Sequence, residues 1–234
     1  LVRDITASQI ITIDKAVTID GNGHKLTSTA ARAINIDTTG NVVINDLTIN
    51  AGERAINIIN KASTVELNNV TATAKNNAVM IATSAGAVKL TINDSDLTGL
   101  AVVNVAGAGA EVEINNTDIT NVDASSAENY GAITVWTSAE AANVTVNGGN
   151  ITVGDDSREA YVFPADATIE GVEDVGYIVA TIGDAGFETL EAAIKAAKAG
   201  QTIVLIRDIE LTEGVVVPAG KSIVLDLAGY DISM

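Results

Sequence analysis

The feature that most constrains this chain is a short strand-like segment that returns at intervals of about 23 residues. The segment Ala-Ile-Asn-Ile at 33–36 reappears in similar form at 55–58, 78–81, 102–105 and 132–135. A repeat of this length cannot bury its own apolar face, so each unit must cover the next. The sequence therefore predicts a stack of similar layers and not one globular centre.

Two further apolar segments follow in each unit. The first alternates apolar and polar residues, and its apolar pairs are Val42 and Ile44, Val65 and Leu67, Leu90 and Ile92, Val112 and Ile114, and Val144 and Val146. The second contains one apolar residue per unit, and these residues are Leu47, Val70, Leu97, Ile119 and Ile151. Apolar residues two apart share one face of a strand. Three short strands per coil of about 23 residues predict an all-β fold, the right-handed parallel β-helix or β-solenoid.

An asparagine ends the second strand of each unit, at Asn45, Asn68, Asn93, Asn115 and Asn147. We interpret this row as structural, because asparagine tolerates the left-handed φ of a bend and stacked amides hydrogen-bond along the ladder. The alternative is a polar row that binds a ligand.

Composition narrows the classes of function. Only 3% of the residues are aromatic, so branched aliphatic side chains must build the core. The formal net charge of −17 repels phosphate backbones and anionic lipid, and we expect no nucleic-acid partner. Cysteine is absent and His24 is the only histidine, so we expect no cofactor. No apolar run reaches the roughly 18 residues that membrane insertion requires.

The opening of the chain is repeated near its end. Residues 2–28 match residues 206–233, and the match begins with Val-Arg-Asp-Ile against Ile-Arg-Asp-Ile. Leu1 aligns with Leu205, in the middle of a predicted strand, so the segment expected before Leu1 is missing from the sequence. We expect either an excised fragment of a longer protein or head-to-tail self-association, in which one copy completes the first coil of another.

A helix is predicted ahead of the second copy. Its apolar residues Leu190, Ala193, Ile194 and Ala197 fall at helical spacing, and Gly200 is suited to end it. This indicates one short amphipathic capping helix near 187–199. The chain is expected to divide into a β-helix body at 1–153, a turn-rich connector at 154–180, and the capping helix with the start of a second β-helix module at 181–234.

The second opening carries a recognisable motif. It runs Thr-Leu-x-x-Ala-Ile-x-x-Ala, then Gly-Gln-Thr-Ile, Arg-Asp-Ile, Gly-Lys-Ser-Ile and Leu-Asp-Leu-x-Gly within residues 187–233. This segment resembles the start of β-helix modules in bacterial surface proteins of the adhesin type, within the pectate-lyase-like group. The resemblance implies an extracellular, cell-surface location and an adhesive or structural role, with a host or bacterial surface glycan or protein as partner.

The pectate-lyase-like group also includes polysaccharide lyases and glycoside hydrolases. No arginine lies between Arg54 and Arg158, and the lyase residues of the group have no match in this sequence. Asp94, Asp96 and Asp118 occur at equivalent turns of adjacent units and form the best acid cluster for hydrolysis. Three interpretations of this cluster stay open: solvated turn carboxylates, a weak calcium site, and a catalytic pair.

Aromatic residues concentrate around the fifth unit, whose preceding loop at 121–130 is longer than its counterparts. They are Tyr130, Trp136, Tyr161 and Phe163. Aromatic rings beside polar loops suit sugar rings or a partner protein, and the alternative is that they close the last coil and pack against the connector. We therefore expect a non-enzymatic structural and adhesive segment with its ligand site here. The alternative function is a β-helix lyase or hydrolase acting on acidic polysaccharide.

Overall fold

The computed structural model describes residues 1–59, 63–122, 131–136, 138–154, 161–162, 168–170, 175–177, 179–183, 185–187 and 189–234. It is an all-β, right-handed parallel β-solenoid with about 23 residues per turn, three parallel sheets and one short helix. The predicted fold class is confirmed. In this part of the chain, no helix is long and apolar enough to span a membrane.

Strands are numbered in chain order. The first sheet contains β1 (Ile5–Ala7), β4 (Lys25–Ser28), β7 (Thr48–Ala51), β10 (Thr71–Ala74), β13 (Asp96–Gly99), β16 (Asp118–Asn121), β19 (Ile151–Val153) and β22 (Val175–Tyr177). The second contains β2 (Ile11–Ile13), β5 (Arg32–Ile36), β8 (Arg54–Ile58), β11 (Asn77–Ile81), β14 (Val103–Val105), β17 (Ile133–Val135) and β20 (Tyr161–Val162). The third contains β3 (Val17–Asp20), β6 (Asn41–Asn45), β9 (Thr64–Asn68), β12 (Lys89–Asn93), β15 (Glu111–Asn115), β18 (Asn143–Asn147) and β21 (Thr168–Glu170). A 3-10 turn, Thr83–Ala85, follows β11.

Each coil crosses the second, third and first sheets in turn, and equivalent residues stack in register. In the second sheet, one inward column is formed by Ile34, Ile56, Val79, Val103 and Ile133, all of them buried. Neighbouring strands lie about 4.8 Å apart, so each of these side chains packs on its counterparts above and below. The repeated segment identified in the sequence is therefore the repeated layer of the core.

In two coils the residue predicted as the third apolar position is not the inward residue of the first sheet, so that part of the prediction is wrong. The inward column of the first sheet consists of Leu26, Ile49, Ala72, Leu97, Ile119 and Ile151. Leu47 and Val70 lie two residues earlier, buried beside the corner that precedes β7 and β10. Both are followed by threonine, as Leu97 and Ile119 are, and this local similarity hid the shift of two residues.

The asparagine row forms the predicted amide ladder. Each Nδ2 donates to the Oδ1 of the preceding asparagine at 2.7 to 2.8 Å, through all of Asn45, Asn68, Asn93, Asn115 and Asn147. The left-handed φ was expected at these residues and instead falls one position later, at Asp46, Asn69, Asp94, Asn116 and Gly148. The corner thus separates two tasks, since one residue bonds between coils and the next reverses the chain.

The sheets continue beyond residue 153. β20, β21 and β22 pair in parallel with β17, β18 and β19 and extend the three sheets by one strand each. The turn-rich composition of 154–180 predicts a break in the ladder, whereas the strands described in this range continue it. The division of the chain into body, connector and second module stays a prediction.

The C-terminal part contains a four-stranded sheet, a two-stranded sheet and a short helix. Its elements are β23 (Ala180–Ile182), β24 (Ala185–Phe187), α1 (Leu190–Ala196), β25 (Thr202–Leu205), β26 (Ile209–Glu210), β27 (Val224–Asp226) and β28 (Ile232–Ser233). Thr189 Oγ1 accepts from the amide of Ala192 at 3.1 Å and caps the helix, whose buried face is the one predicted. β23 pairs antiparallel with β24 and β25, which the sequence pattern did not indicate.

The two openings form the same hydrogen bonds. Asp4 Oδ1 accepts from the amide of Lys25 at 3.0 Å, and Asp208 Oδ1 accepts from the amide of Asp231 at 2.8 Å. The turn after β3 and the turn after β27 also match in their positive φ angles, at 22–23 and 228–229. The duplication is therefore structural. The expected head-to-tail contact between copies stays a prediction.

We predict that Asn93→Ala destabilises the protein more than Asn45→Ala. Asn93 takes part in two bonds of the ladder and Asn45 in one, so the central substitution leaves two amide groups without a ladder partner. The expected loss at Asn93 is about 1 to 3 kcal/mol, measured by thermal or urea unfolding. Equal losses at the two positions would show that the ladder does not stabilise the stack.

We also predict that substitutions at two adjacent glycines differ strongly in their effect on the free energy of unfolding. A Cβ on Gly149, where φ is +87°, would lie 2.1 Å from the carbonyl oxygen of Thr117, so Gly149→Ala should cost about 2 to 4 kcal/mol. Gly148 has open space and occupies the corner position of Asn69 and Asn116, so Gly148→Asn should be nearly neutral. Chemical denaturation of both variants tests this, and a costly Gly148→Asn would contradict it.

Candidate ligand-binding site

The outward column of the second sheet is unusual because most of it is buried. Asn35, Asn57, Met80, Asn104 and Thr134 stack in register. Asn57, Asn104 and Thr134 are exposed by only 1%, 4% and 1%. Buried polar side chains require hydrogen-bond partners, and neighbouring residues provide them here.

Two of these partners define the two ends of a groove. Arg54 Nη1 donates to Asn57 Oδ1 at 3.4 Å, and the indole Nε1 of Trp136 donates to Asn104 Oδ1 at 2.7 Å. Between them lies a cavity of about 420 Å³, within the range of small-molecule sites. We call it the Trp136 groove, and its principal lining residues are Arg54, Asn76, Asn77, Met80, Asn104 and Trp136.

Hydrogen bonds fix the walls of the groove. Asn77, which is buried, donates its Nδ2 to the carbonyl of Ala101 at 2.7 Å. The backbone amide of Trp136 donates to the carbonyl of Val105 at 2.8 Å, while its indole is held by Asn104. Side chains restrained in this way lose little conformational entropy when a ligand binds.

Charge is distributed unevenly around this site. Among the groove-lining residues in the described part of the chain, Arg54 is the only charged one. It starts β8 directly above Arg32, which starts β5, so two cationic side chains stack in register. Adjacent guanidinium groups stand out in a chain whose formal net charge is −17.

The structure places the predicted aromatic residues unequally. Trp136 lines the groove and is partly buried. Tyr161 begins β20, where its backbone pairs with Ile133. Tyr130 and Phe163 lie outside the described residues, so a cluster of four aromatic side chains stays a prediction. The contribution of Arg54, Asn77 and Asn104 was not predicted, although a column of amides on the outward face of the second sheet was visible in the repeat.

The predicted acid cluster lines a separate cavity of about 510 Å³ on the first sheet. Asp96 and Asp118 are register partners in β13 and β16, and Asp94 lines the same cavity. The amide and the Nδ2 of Asn150 each donate to Asp118 Oδ1 at 3.0 Å. Asn116 Nδ2 donates to Asp94 Oδ1 at 2.7 Å. The stacking of coils therefore does bring these carboxylates near one another.

The pKa of Asp96 is shifted by its surroundings. Burial raises the pKa of Asp96 above its ordinary value of 3.8, and the negative charge of Asp118 raises it further. A raised pKa is a property of a general acid, although structural carboxylate pairs also have it.

Across the described ranges, no three Asp, Glu or His side chains are grouped so that they would hold a metal ion. The calcium interpretation of the cluster stays a hypothesis.

Comparison of the chain with protein-family models, with curated proteins and with solved structures found no match.

We predict that Asp96→Asn stabilises the protein at neutral pH and that the gain disappears in acid. Because the folded pKa of Asp96 lies above its unfolded value, its protonated form stabilises the fold below about pH 3.8, and this stabilisation is lost as pH rises through the folded pKa. The variant removes the charge that is costly at pH 7, with a gain below about 1 kcal/mol because the site is partly solvated. Thermal unfolding at pH 3 and pH 7 measures it. Asp94→Asn is the matched control, since Asn69 and Asn116 already occupy that corner position.

Proposed function

We propose that this chain is a non-enzymatic structural and adhesive segment of an extracellular bacterial surface protein, which binds a glycan in the Trp136 groove. The observation that carries the proposal is the groove itself, in which one indole ring and several amides are fixed over a continuous parallel ladder. The resemblance of residues 187–233 to adhesin-type modules of the pectate-lyase-like group supports the cellular context.

A solenoid of this kind suits a projecting segment. Its layers contact only their neighbours, so the stack lengthens along one axis at about 4.8 Å per coil. Seven strands in each of the second and third sheets correspond to a rod about 30 Å long. Its interior is filled by close-packed aliphatic columns, which resist bending. Such a rod holds a binding groove at a fixed height and orientation.

The groove matches the chemistry of sugars. A pyranose ring has an apolar face that packs on an indole and hydroxyl groups at its edge. Amides such as those of Asn76, Asn77 and Asn104 provide donors and acceptors for hydroxyl groups. A site with one aromatic surface and convergent amides on rigid strands fits these features together.

A glycan array tests the proposal. We expect the wild-type chain to retain one class of glycan and Trp136→Ala to lose at least about tenfold in affinity, because the packing surface is removed. Tyr230→Ala is the control, since it removes a partly exposed aromatic ring outside the groove. Absence of any glycan bound by a folded wild-type chain, or equal binding by Trp136→Ala, would refute the proposal.

The second candidate is a carbohydrate-active enzyme that cleaves acidic polysaccharide. The proximity of Asp96 and Asp118 and the raised pKa of Asp96 favour it, because hydrolysis uses one protonated and one ionised carboxyl group.

A product-release assay on polyuronate and neutral polysaccharides separates the two functions. Under the adhesive proposal we expect no product above the buffer control. Product formation that is abolished by Asp118→Asn and retained by Thr91→Ala, a change on the third sheet, would replace adhesion by catalysis.

A further inference from the structure

We infer that the Trp136 groove selects a glycan that carries an acetamido group, whose carbonyl oxygen accepts a hydrogen bond from Asn104 Nδ2. The inference rests on the proposed function and specifies the class of sugar. Its starting point is an interruption of the amide column on the outward face of the second sheet, where Met80 stands between Asn57 and Asn104.

The first part of this column bonds in the same way as the ladder on the third sheet. Asn57 Nδ2 donates to Asn35 Oδ1 of the preceding coil at 3.1 Å. At Asn104 the pattern stops, because its register partner in the preceding coil is Met80, whose thioether is at most a weak acceptor. The amide of Asn104 therefore has no ladder acceptor.

The orientation of the Asn104 amide is fixed by the following coil. The indole N–H of Trp136 can only donate, and it bonds to Asn104 Oδ1 at 2.7 Å, so the oxygen faces Trp136. Nδ2 lies on the opposite side of the amide, toward Met80, which lines the groove together with Asn104. Among the described residues, no group accepts from this Nδ2, although Asn104 is only 4% exposed. A nearly buried donor without an acceptor is costly, so a ligand that supplies the acceptor gains affinity.

The walls beside this donor are partly apolar. Met80 and Ala106 line the groove together with Asn104, and Leu100 and Ala101 line it as well. An acetamido group brings a planar carbonyl acceptor and a methyl group, so it satisfies Asn104 Nδ2 and also packs against apolar side chains. A hydroxyl group brings no methyl group, and its own proton requires a further acceptor. A carboxylate would place a full charge against the apolar wall.

The rest of the groove suits the hydroxyl groups of the same sugar. Asn76 Nδ2 donates to the carboxylate of Glu53 at 2.5 Å. Asn77 Nδ2 donates to the carbonyl of Ala101 at 2.7 Å. Carboxylate and carbonyl oxygens only accept, so the two amides are oriented with Oδ1 away from these partners, and no group in the described part of the chain donates to either Oδ1. Both residues line the groove, and ring hydroxyls have the protons that these oxygens accept.

The test is a calorimetric titration with three β-linked oligosaccharides of equal length, made of glucose, glucosamine or N-acetylglucosamine. We expect the acetylated probe to bind at least about tenfold more tightly than the other two, because only it brings both the carbonyl and the methyl group. Glucosamine is cationic, so tightest binding of that probe would show attraction by the net charge of −17 and overturn the inference.

Met80→Asn tests the open donor of Asn104. The new amide continues the column and occupies Asn104 Nδ2, so the midpoint of thermal unfolding should rise while the preference for the acetylated probe falls below about twofold. A loss of binding in a more stable variant does not come from misfolding. Asn104→Asp removes the donor and keeps an acceptor for the indole, so it should lose the same preference. Met80→Leu is the matched control, since it keeps an apolar wall and leaves the donor open.

Further outcomes separate this inference from the proposed function. An unchanged preference in Met80→Asn or Asn104→Asp, or its loss in Met80→Leu, would overturn the role of Asn104. Binding confined to glycans without an acetamido group, or equal affinity for the glucose and N-acetylglucosamine probes, would overturn the inference and leave the proposed function intact. A folded chain that binds no glycan at all would contradict both.

Discussion

Parallel, in-register stacking of coils is the constraint on which the rest of this structure depends. Each strand forms its backbone hydrogen bonds with the coils on either side. Each residue therefore lies beside the residues at the equivalent position of the neighbouring coils. Side chains therefore interact mainly with copies of their own column. A residue type is therefore suited to a column only if its side chain packs well against the same side chain, or against the one that occupies the equivalent position of the next coil.

In-register stacking has different consequences for columns of amide side chains and for columns of charged side chains. An asparagine has both a donor and an acceptor, so a column of asparagines bonds to itself, as it does from Asn45 to Asn147. A charged column repels itself unless the sign alternates, as it does where Lys89 meets Glu111 at 2.8 Å. Asp96 beside Asp118 and Arg32 beside Arg54 are like-charge neighbours. In the first pair, burial and the charge of Asp118 raise the pKa of Asp96 beside a cavity, an effect found at functional sites and also in structural carboxylate pairs.

The groove forms where the repeat is least regular. The coil that ends in β17 is longer than its neighbours, and its first residues after the strand place Trp136 over Asn104 of the coil below. The outward column presents amides at a fixed spacing, and the indole of Trp136 hydrogen-bonds to one of them. Regular strands thus supply the rigidity, and Trp136 just beyond β17 supplies one wall of the groove, which is a common division between scaffold and site.

The sequence alone determined the repeat, the three strands per coil, the amide ladder and the short helix, because each follows from the spacing of apolar and amide residues along the chain. It misplaced Leu47 and Val70, since a corner residue followed by threonine looks the same as a strand residue followed by threonine. The antiparallel pairing of β23 was also decided only in three dimensions. So was the groove, since Arg54, Asn77, Asn104 and Trp136 lie in four different coils. Their proximity arises from register, which depends on how every coil packs on the one before it.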